Sequence, residues 1–133
     1  MAVGRQDYQA GVVPIKSGYS LSQTPFYEGD NEVLAHNAEA YLCYTIVPTG
    51  YQLHISGVRV SCSIPGIQKA KYILGNYYET DRYYDMSFVD NFPELSPLIV
   101  VATLYVSIYI KNEMGETATY NGEIFGYLEQ IET

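Results

Sequence analysis

Residues 41–64, YLCYTIVPTGYQLHISGVRVSCSI, decide the fold class, because they read as two β-strands joined by a tight turn. In Val47-Pro48-Thr49-Gly50-Tyr51, Pro48 presets φ and removes a donor, while Gly50 takes a conformation that a Cβ resists. The flanks are rich in Tyr, Val, Ile and Thr, which fit a pleated, half-buried surface. The simplest arrangement is a hairpin whose paired residue numbers sum to about 99. In its second strand Leu53 and Ile55 share one parity, whereas Val58, Val60, Cys62 and Ile64 share the other. This change of phase at Ser56-Gly57 predicts a β-bulge, which bends a strand without turning its apolar face outward.

Further strands follow from alternation. Glu32 to Ala35 reads as a short strand before the hairpin. After Pro65-Gly66, residues 69–74 place Ala70, Tyr72 and Leu74 on one side. Residues 86–89 and 98–101 are brief strand candidates, separated by DNFPELSP, whose two prolines mark a loop. Leu104, Val106, Ile108 and Ile110 then alternate with Tyr105, Ser107, Tyr109 and Lys111, giving an apolar face and a tyrosine face. Residues 112–117 read as a hairpin loop. The returning strand aligns Ala118, Tyr120, Gly122, Ile124, Gly126 and Leu128, and the two inward glycines imply close approach by another backbone or ring. No helix shows both periodicity and caps. The expected fold is therefore all-β, a single-domain antiparallel β-sandwich over residues 31–133. An extended N-terminal arm over residues 1–30, lying along its own domain or a neighbour, precedes it, because Gly, Pro, Ser and Gln recur there around one apolar island; a locally packed or frayed terminus is the alternative.

Composition narrows the partners. Seven basic against fifteen acidic residues give a net charge of -8, which argues against nucleic acid and against anionic membranes. No apolar run approaches the ~20 residues of a membrane-spanning helix, and residues 1–13 lack the apolar core of a secretory signal. Assembly inside a cell is the expectation. Only 17% of residues are charged, yet there are fifteen tyrosines, more than one small core accommodates. Some tyrosines are expected at the surface or at an interface, where ring and hydroxyl are both served.

Chemistry is not signalled. In the hairpin register Cys43 and Cys62 lie too far apart along the ladder for a disulfide, so two free thiols are expected. His36 and His54 are distant in the same register, and neither a metal, a cofactor nor a catalytic residue is expected. Asp81, Asp85 and Asp90 with Glu79 lack the spacing of a dedicated calcium loop and read as a solvated acidic segment.

Three stretches carry a resemblance: Tyr44 to Gly50 leading to Cys62, the Phe-Pro-x-x-x-Pro-Leu of Phe92 to Leu98, and the closing Gly-Tyr-Leu-Glu of Gly126 to Glu129. Over about residues 40–129 the chain resembles small β-sandwich proteins of tailed-phage virions, which serve as head decoration, head fibre or tail accessory. It departs from them in Thr49, where Ala is more usual, and in its tyrosine content. The resemblance implies a jelly-roll-like sandwich, a homo-oligomer with a trimer favoured, and docking onto a larger virion protein such as a capsid protein. It also implies a virion location, with assembly in the host cytoplasm. The candidate interface is Tyr77, Tyr78, Arg82, Tyr83 and Tyr84 with Tyr105 and Tyr109, because tyrosine and arginine concentrate at binding hot spots. Two alternatives stand beside it: the rings are ordinary strand aromatics, or they stack on sugars in a glycan- or receptor-binding host-attachment module. A Tyr-Tyr pair on a strand sends its rings to opposite faces, so at most about half of the cluster at residues 75–85 can join one core, and the remainder is surface.

Overall fold

The computed structural model describes residues 22–75, 78–93 and 98–131. Within them lie nine strands and no helix: β1 (Gln23–Leu34), β2 (Glu39–Ile46), β3 (Tyr51–Cys62), β4 (Ile67–Leu74), β5 (Glu79–Asp85), β6 (Ser87–Asn91), β7 (Leu98–Val100), β8 (Tyr105–Lys111) and β9 (Ala118–Gln130). All their pairings are antiparallel. One sheet runs β1-β9-β3-β6, with the short β7 also on β3, and the other runs β2-β8-β4-β5. A single bridging pair, Asp85 with Ser87, joins them. Eight strands alternating between two sheets in this order make a jelly-roll sandwich.

The strand order corrects the expected hairpin. β2 and β3 do not pair: β2 bonds to β8, while β3 lies between β9 on one side and β6 and β7 on the other. The turn itself is present, with Tyr51 N–H donating to the Pro48 carbonyl at 3.2 Å and Gly50 at φ 90°. Positive φ falls on the second central residue only, the type II pattern, whose twist splays its flanking strands instead of pairing them. Val47 therefore leaves one sheet and Tyr51 enters the other. Val47 N–H donates to the Leu104 carbonyl and Ile131 N–H to that of Gly50, which fastens the crossing to its surroundings. Residues 112–117 also cross between sheets and do not close a hairpin, since β8 pairs with β2 and β4 whereas β9 pairs with β1 and β3. The buried Asn112 amide holds this crossing by donating to the carbonyls of Leu34 (2.8 Å) and Glu116 (2.9 Å).

The arm is corrected at its C-terminal end. Residues 23–30 belong to β1, which pairs with β9 along its whole length, and the expected strand at Glu32 to Ala35 is only the end of it. Pro25 sits there without disruption because β1 is an edge strand. The rest of the expected arm, residues 1–21, lies outside the described residues.

The bulge in β3 is where its phase change put it. Ile55 pairs with Gly126 and Gly57 with Phe125, so Ser56 is the extra residue, and Leu53, Ile55, Val58, Val60 and Cys62 all reach the core. A Cβ on Gly126 would lie 1.9 Å from the His54 carbonyl oxygen, so the bulged strand crosses the glycine with no room for a side chain. Gly122 is approached by neither a backbone nor a ring but by aliphatic side chains. It faces the opposite sheet, where a Cβ would meet Ile108 Cδ1 at 3.0 Å and Leu42 Cδ1 at 3.1 Å. These rings and branched chains form one core between the sheets, centred on Leu42, Leu53, Val60, Ile108, Tyr120 and Ile124.

Both cysteines are free and buried, as expected, but for a different reason. Cys43 and Cys62 stand on opposite sheets. Cys43 is the extra residue of a second bulge, between Leu42 and Thr45 of β2, with φ 61°. Its thiol donates to the Gly122 carbonyl at 3.3 Å, and its N–H donates to Asp30 Oδ2 of β1 at 3.3 Å. The open side of the sandwich between β1 and β2 is thereby tied through side chains.

Candidate interaction surface

The bulge in β2 decides what the outer face of the β2-β8-β4-β5 sheet presents. An unbroken strand would send Tyr41 and Tyr44 to opposite faces. Because Leu42 and Cys43 both turn inward, Tyr41 and Tyr44 both turn out, 59% and 56% exposed. Each meets a ring on β8: Tyr41 lies 5.1 Å from Tyr109 at a tilt of 50°, and Tyr44 stacks on Tyr105 at 5.1 Å. The Tyr109 hydroxyl donates to Glu39 Oε1 at 2.8 Å, and this bond to a carboxylate raises the phenol above its ordinary pKa. The result is a stripe of four tyrosines.

Beside it runs a charged stripe on β4 and β5. Lys71 pairs in register with Tyr109 on one side and with Asp81 on the other, and Lys69 pairs with Tyr83. Lys69 Nζ is 3.7 Å from Asp81 and Lys71 Nζ 3.6 Å from Glu79. Exposed pairs of this kind contribute little, at most about 1 kcal/mol each, so their groups are free to exchange partners. Tyr83, 65% exposed, completes the stripe.

Of the residues expected at an interface, Tyr83, Tyr105 and Tyr109 share this face, and Tyr77 lies outside the described residues. Three others point away from it. Tyr84 is buried in the core with its ring edge against Phe88 at 5.3 Å, which corrects its place in the candidate interface. Parity is the reason: with Tyr83 outward, its neighbour on β5 must point inward. Burial pushes the Tyr84 phenol up, and its hydroxyl has no hydrogen-bond partner among the described residues. Tyr78 packs between Tyr72 (6.1 Å) and the edge of Phe92 (6.2 Å). Arg82 lies over Phe88 at 4.9 Å and is committed to Asp90, with Nε 3.0 Å from Oδ2. These two are structural parts of the seam between β5 and β6.

Tyr41 and Tyr44 were not expected, although a sequence signal exists. Leu42-Cys43 is an apolar pair between two tyrosines, the same kind of phase change that marks Ser56-Gly57. The opposite outer face, on β1-β9-β3-β6, is also aromatic. Phe125 lies over Gly57, and Tyr127 stacks on His54 at 4.4 Å and 8°. Its polar groups are engaged locally: Arg59 contacts Glu123, the Tyr27 hydroxyl donates to Glu123 at 3.0 Å, and His54 Nε2 is 2.9 Å from Glu129 Oε1. As for reactive groups, burial, with the nearby Asp30 and Glu28 carboxylates, pushes the Cys43 thiol up to about 12, which leaves it protonated at neutral pH. Among the described residues no three His, Cys, Asp or Glu side chains converge as metal ligands do.

No family model matches this chain, and no curated protein matches it. Among solved structures it is similar to the virus-like particle protein of the extra small virus of the giant freshwater prawn Macrobrachium rosenbergii, at 9% identity over 94% of each chain and a TM-score of 0.43. It is also similar to a chain of the cyanophage Pam1 capsid asymmetric unit, at 11% identity over 90% of this chain and 96% of that one, TM-score 0.42. A de novo designed double-stranded β-helix matches over 72% of this chain and 96% of its own, at 11% identity and a TM-score of 0.36. Values this low carry no weight for the fold, which stands on the strand order.

Proposed function

We propose that this chain is a non-enzymatic structural protein of a virus particle, a jelly-roll unit that associates with itself and docks onto a larger protein lattice such as a capsid. The observation that carries this reading is the outer face of β2-β8-β4-β5. An antiparallel sheet ordinarily offers water a polar outer face. Here five tyrosines and Ile46 stand on it, in a chain otherwise rich in acid, and large aromatic area of this kind marks contact surfaces. In this reading the residues ahead of β1 reach a neighbouring subunit, and deleting residues 1–21 weakens assembly. Light scattering coupled to size exclusion at tens of micromolar, with electron microscopy of the native assembly, tests the whole proposal. A strict monomer that decorates no particle refutes it.

One observation favours a second reading, a glycan- or receptor-binding module. The exposed Tyr41 ring lies beside Tyr109 and the Glu39 carboxylate, an aromatic platform with an acceptor at its rim. Glycan-array binding by a monomer, lost on Tyr41→Ala or Tyr83→Ala, selects it.

A further inference from the structure

We propose that the outer face of β2-β8-β4-β5 meets the same face of a second copy about a twofold axis parallel to the strands, so that each tyrosine stripe lies on the other copy's lysine stripe. This rests on the self-association proposed above and names its face and its symmetry.

The register carries it. Tyr41, Tyr109, Lys71 and Asp81 form one row across the four strands, since Tyr41 pairs with Tyr109, Tyr109 with Lys71, and Lys71 with Asp81. A twofold axis along the strands between β8 and β4 reverses this row. Tyr41 then faces Asp81 of the second copy and Tyr109 faces its Lys71, each pairing occurring twice. A phenol donates to a carboxylate in the first, and an ammonium lies on a ring in the second. In the neighbouring row, Glu39 falls on Tyr83, while Lys111 and Lys69 approach one another, each beside a carboxylate of its own chain: Lys111 pairs in register with Glu39, and Lys69 lies 3.7 Å from Asp81. An axis across the strands would instead lay tyrosine stripe on tyrosine stripe and lysine stripe on lysine stripe, with like charges opposed throughout.

Net charge points to the same face. Its central rows hold Lys69, Lys71 and Lys111 against Glu39, Glu79 and Asp81, three of each sign, in a chain of net charge -8. The excess of acid lies elsewhere on the chain, so two copies that meet through this face avoid it. Four strands about 4.8 Å apart, with six or seven residues each, make a face of about 20 by 20 Å. A contact of that size lies at the low end of specific interfaces, so dissociation in the micromolar range is expected.

Paired cysteines test the geometry. Facing sheets pack about 10 Å apart, so Tyr41→Cys on one copy and Asp81→Cys on another are within reach of a bismaleimide spanning about 10 Å. Two copies of Tyr41→Cys alone are about 17 Å apart and out of reach. Mixing the two variants is expected to give a covalent dimer on denaturing gels, and Tyr41→Cys alone none; both positions are exposed, and the natural cysteines are buried. Lys71→Glu is expected to weaken self-association at least tenfold by light scattering. Cross-linking of Tyr41→Cys to itself, or an oligomer indifferent to Lys71→Glu, overturns the inference. So does a strict trimer, because odd rings need heterologous contacts. These results leave the structural role standing, whereas a wild-type monomer at tens of micromolar that decorates no particle removes both.

Discussion

Asp90→Asn tests whether one carboxylate holds the two sheets together where the backbone does not. β5 and β6 share only the Asp85–Ser87 bridge. On the core side of that seam Asp90 of β6 accepts from Arg82 of β5, with Nε 3.0 Å from Oδ2 and Nη2 3.0 Å from Oδ1, and from the Tyr72 hydroxyl of β4 at 2.8 Å. The substitution keeps the shape, removes the charge and turns one acceptor into a donor that faces donors. Hydrogen bonds to charged groups contribute about 1.5–3 kcal/mol. The Arg82 side chain is 39% exposed, so solvent screening favours the lower half, about 2 kcal/mol at pH 7. For a chain of this length that is a fall in Tm of roughly 8 °C.

The pH dependence carries a sign. Burial works against the charged form of Asp90, but the hydrogen bonds from Arg82 and Tyr72 and the guanidinium charge outweigh it, so its pKa is lowered. An unfolded aspartate titrates near about 3.9. With the folded pKa below that, the stabilisation is fully present above the unfolded value and is lost as pH falls through the folded one. Urea unfolding followed by tyrosine fluorescence should show the gap between wild type and Asp90→Asn narrowing below about pH 4. A gap under about 0.5 kcal/mol at pH 7, or one equally wide at pH 3, refutes the role of the charge.

Other substitutions separate the roles of single groups. Gly126→Ala should cost about 3 kcal/mol or more, because its Cβ would meet the His54 carbonyl at 1.9 Å and backbone must move; a loss under about 1 kcal/mol in chemical denaturation would contradict that close approach. Tyr84→Phe should be neutral or slightly stabilising, since its hydroxyl is buried without a partner among the described residues, whereas Tyr120→Phe should cost about 1 kcal/mol by removing the bond to Gln68. Equal effects would undo the distinction. The thiols of Cys43 and Cys62 should resist iodoacetamide at pH 8 in the folded protein and react on unfolding, with mass spectrometry locating the label. Rapid native labelling of Cys43 would mean that the seam between β1 and β2 opens.

Local periodicity was enough to find most of the strands, the bulge at Ser56-Gly57, the inward Gly122 and Gly126 and the opposite directions of Tyr83 and Tyr84, because side-chain parity along a strand depends only on neighbours in the chain. Which strand lies beside which was decided elsewhere. The turn at Val47 to Tyr51 looks the same whether it closes a hairpin or crosses from one sheet to the other, and only the backbone pairing of β3 with β9 and β6 settles it. For the same reason free thiols were expected from a register that the molecule does not use, and the true cause is that Cys43 and Cys62 belong to opposite sheets. The tyrosine face shows the division most clearly. The count of tyrosines announced that some must be exposed, but the β2 bulge turns Tyr41 and Tyr44 outward together, and the pairing of β8 with β2 and β4 sets their stripe beside the lysines. Those contacts join residues far apart in the chain, Tyr41 with Tyr109 and Tyr109 with Lys71, so no short window of sequence contains them.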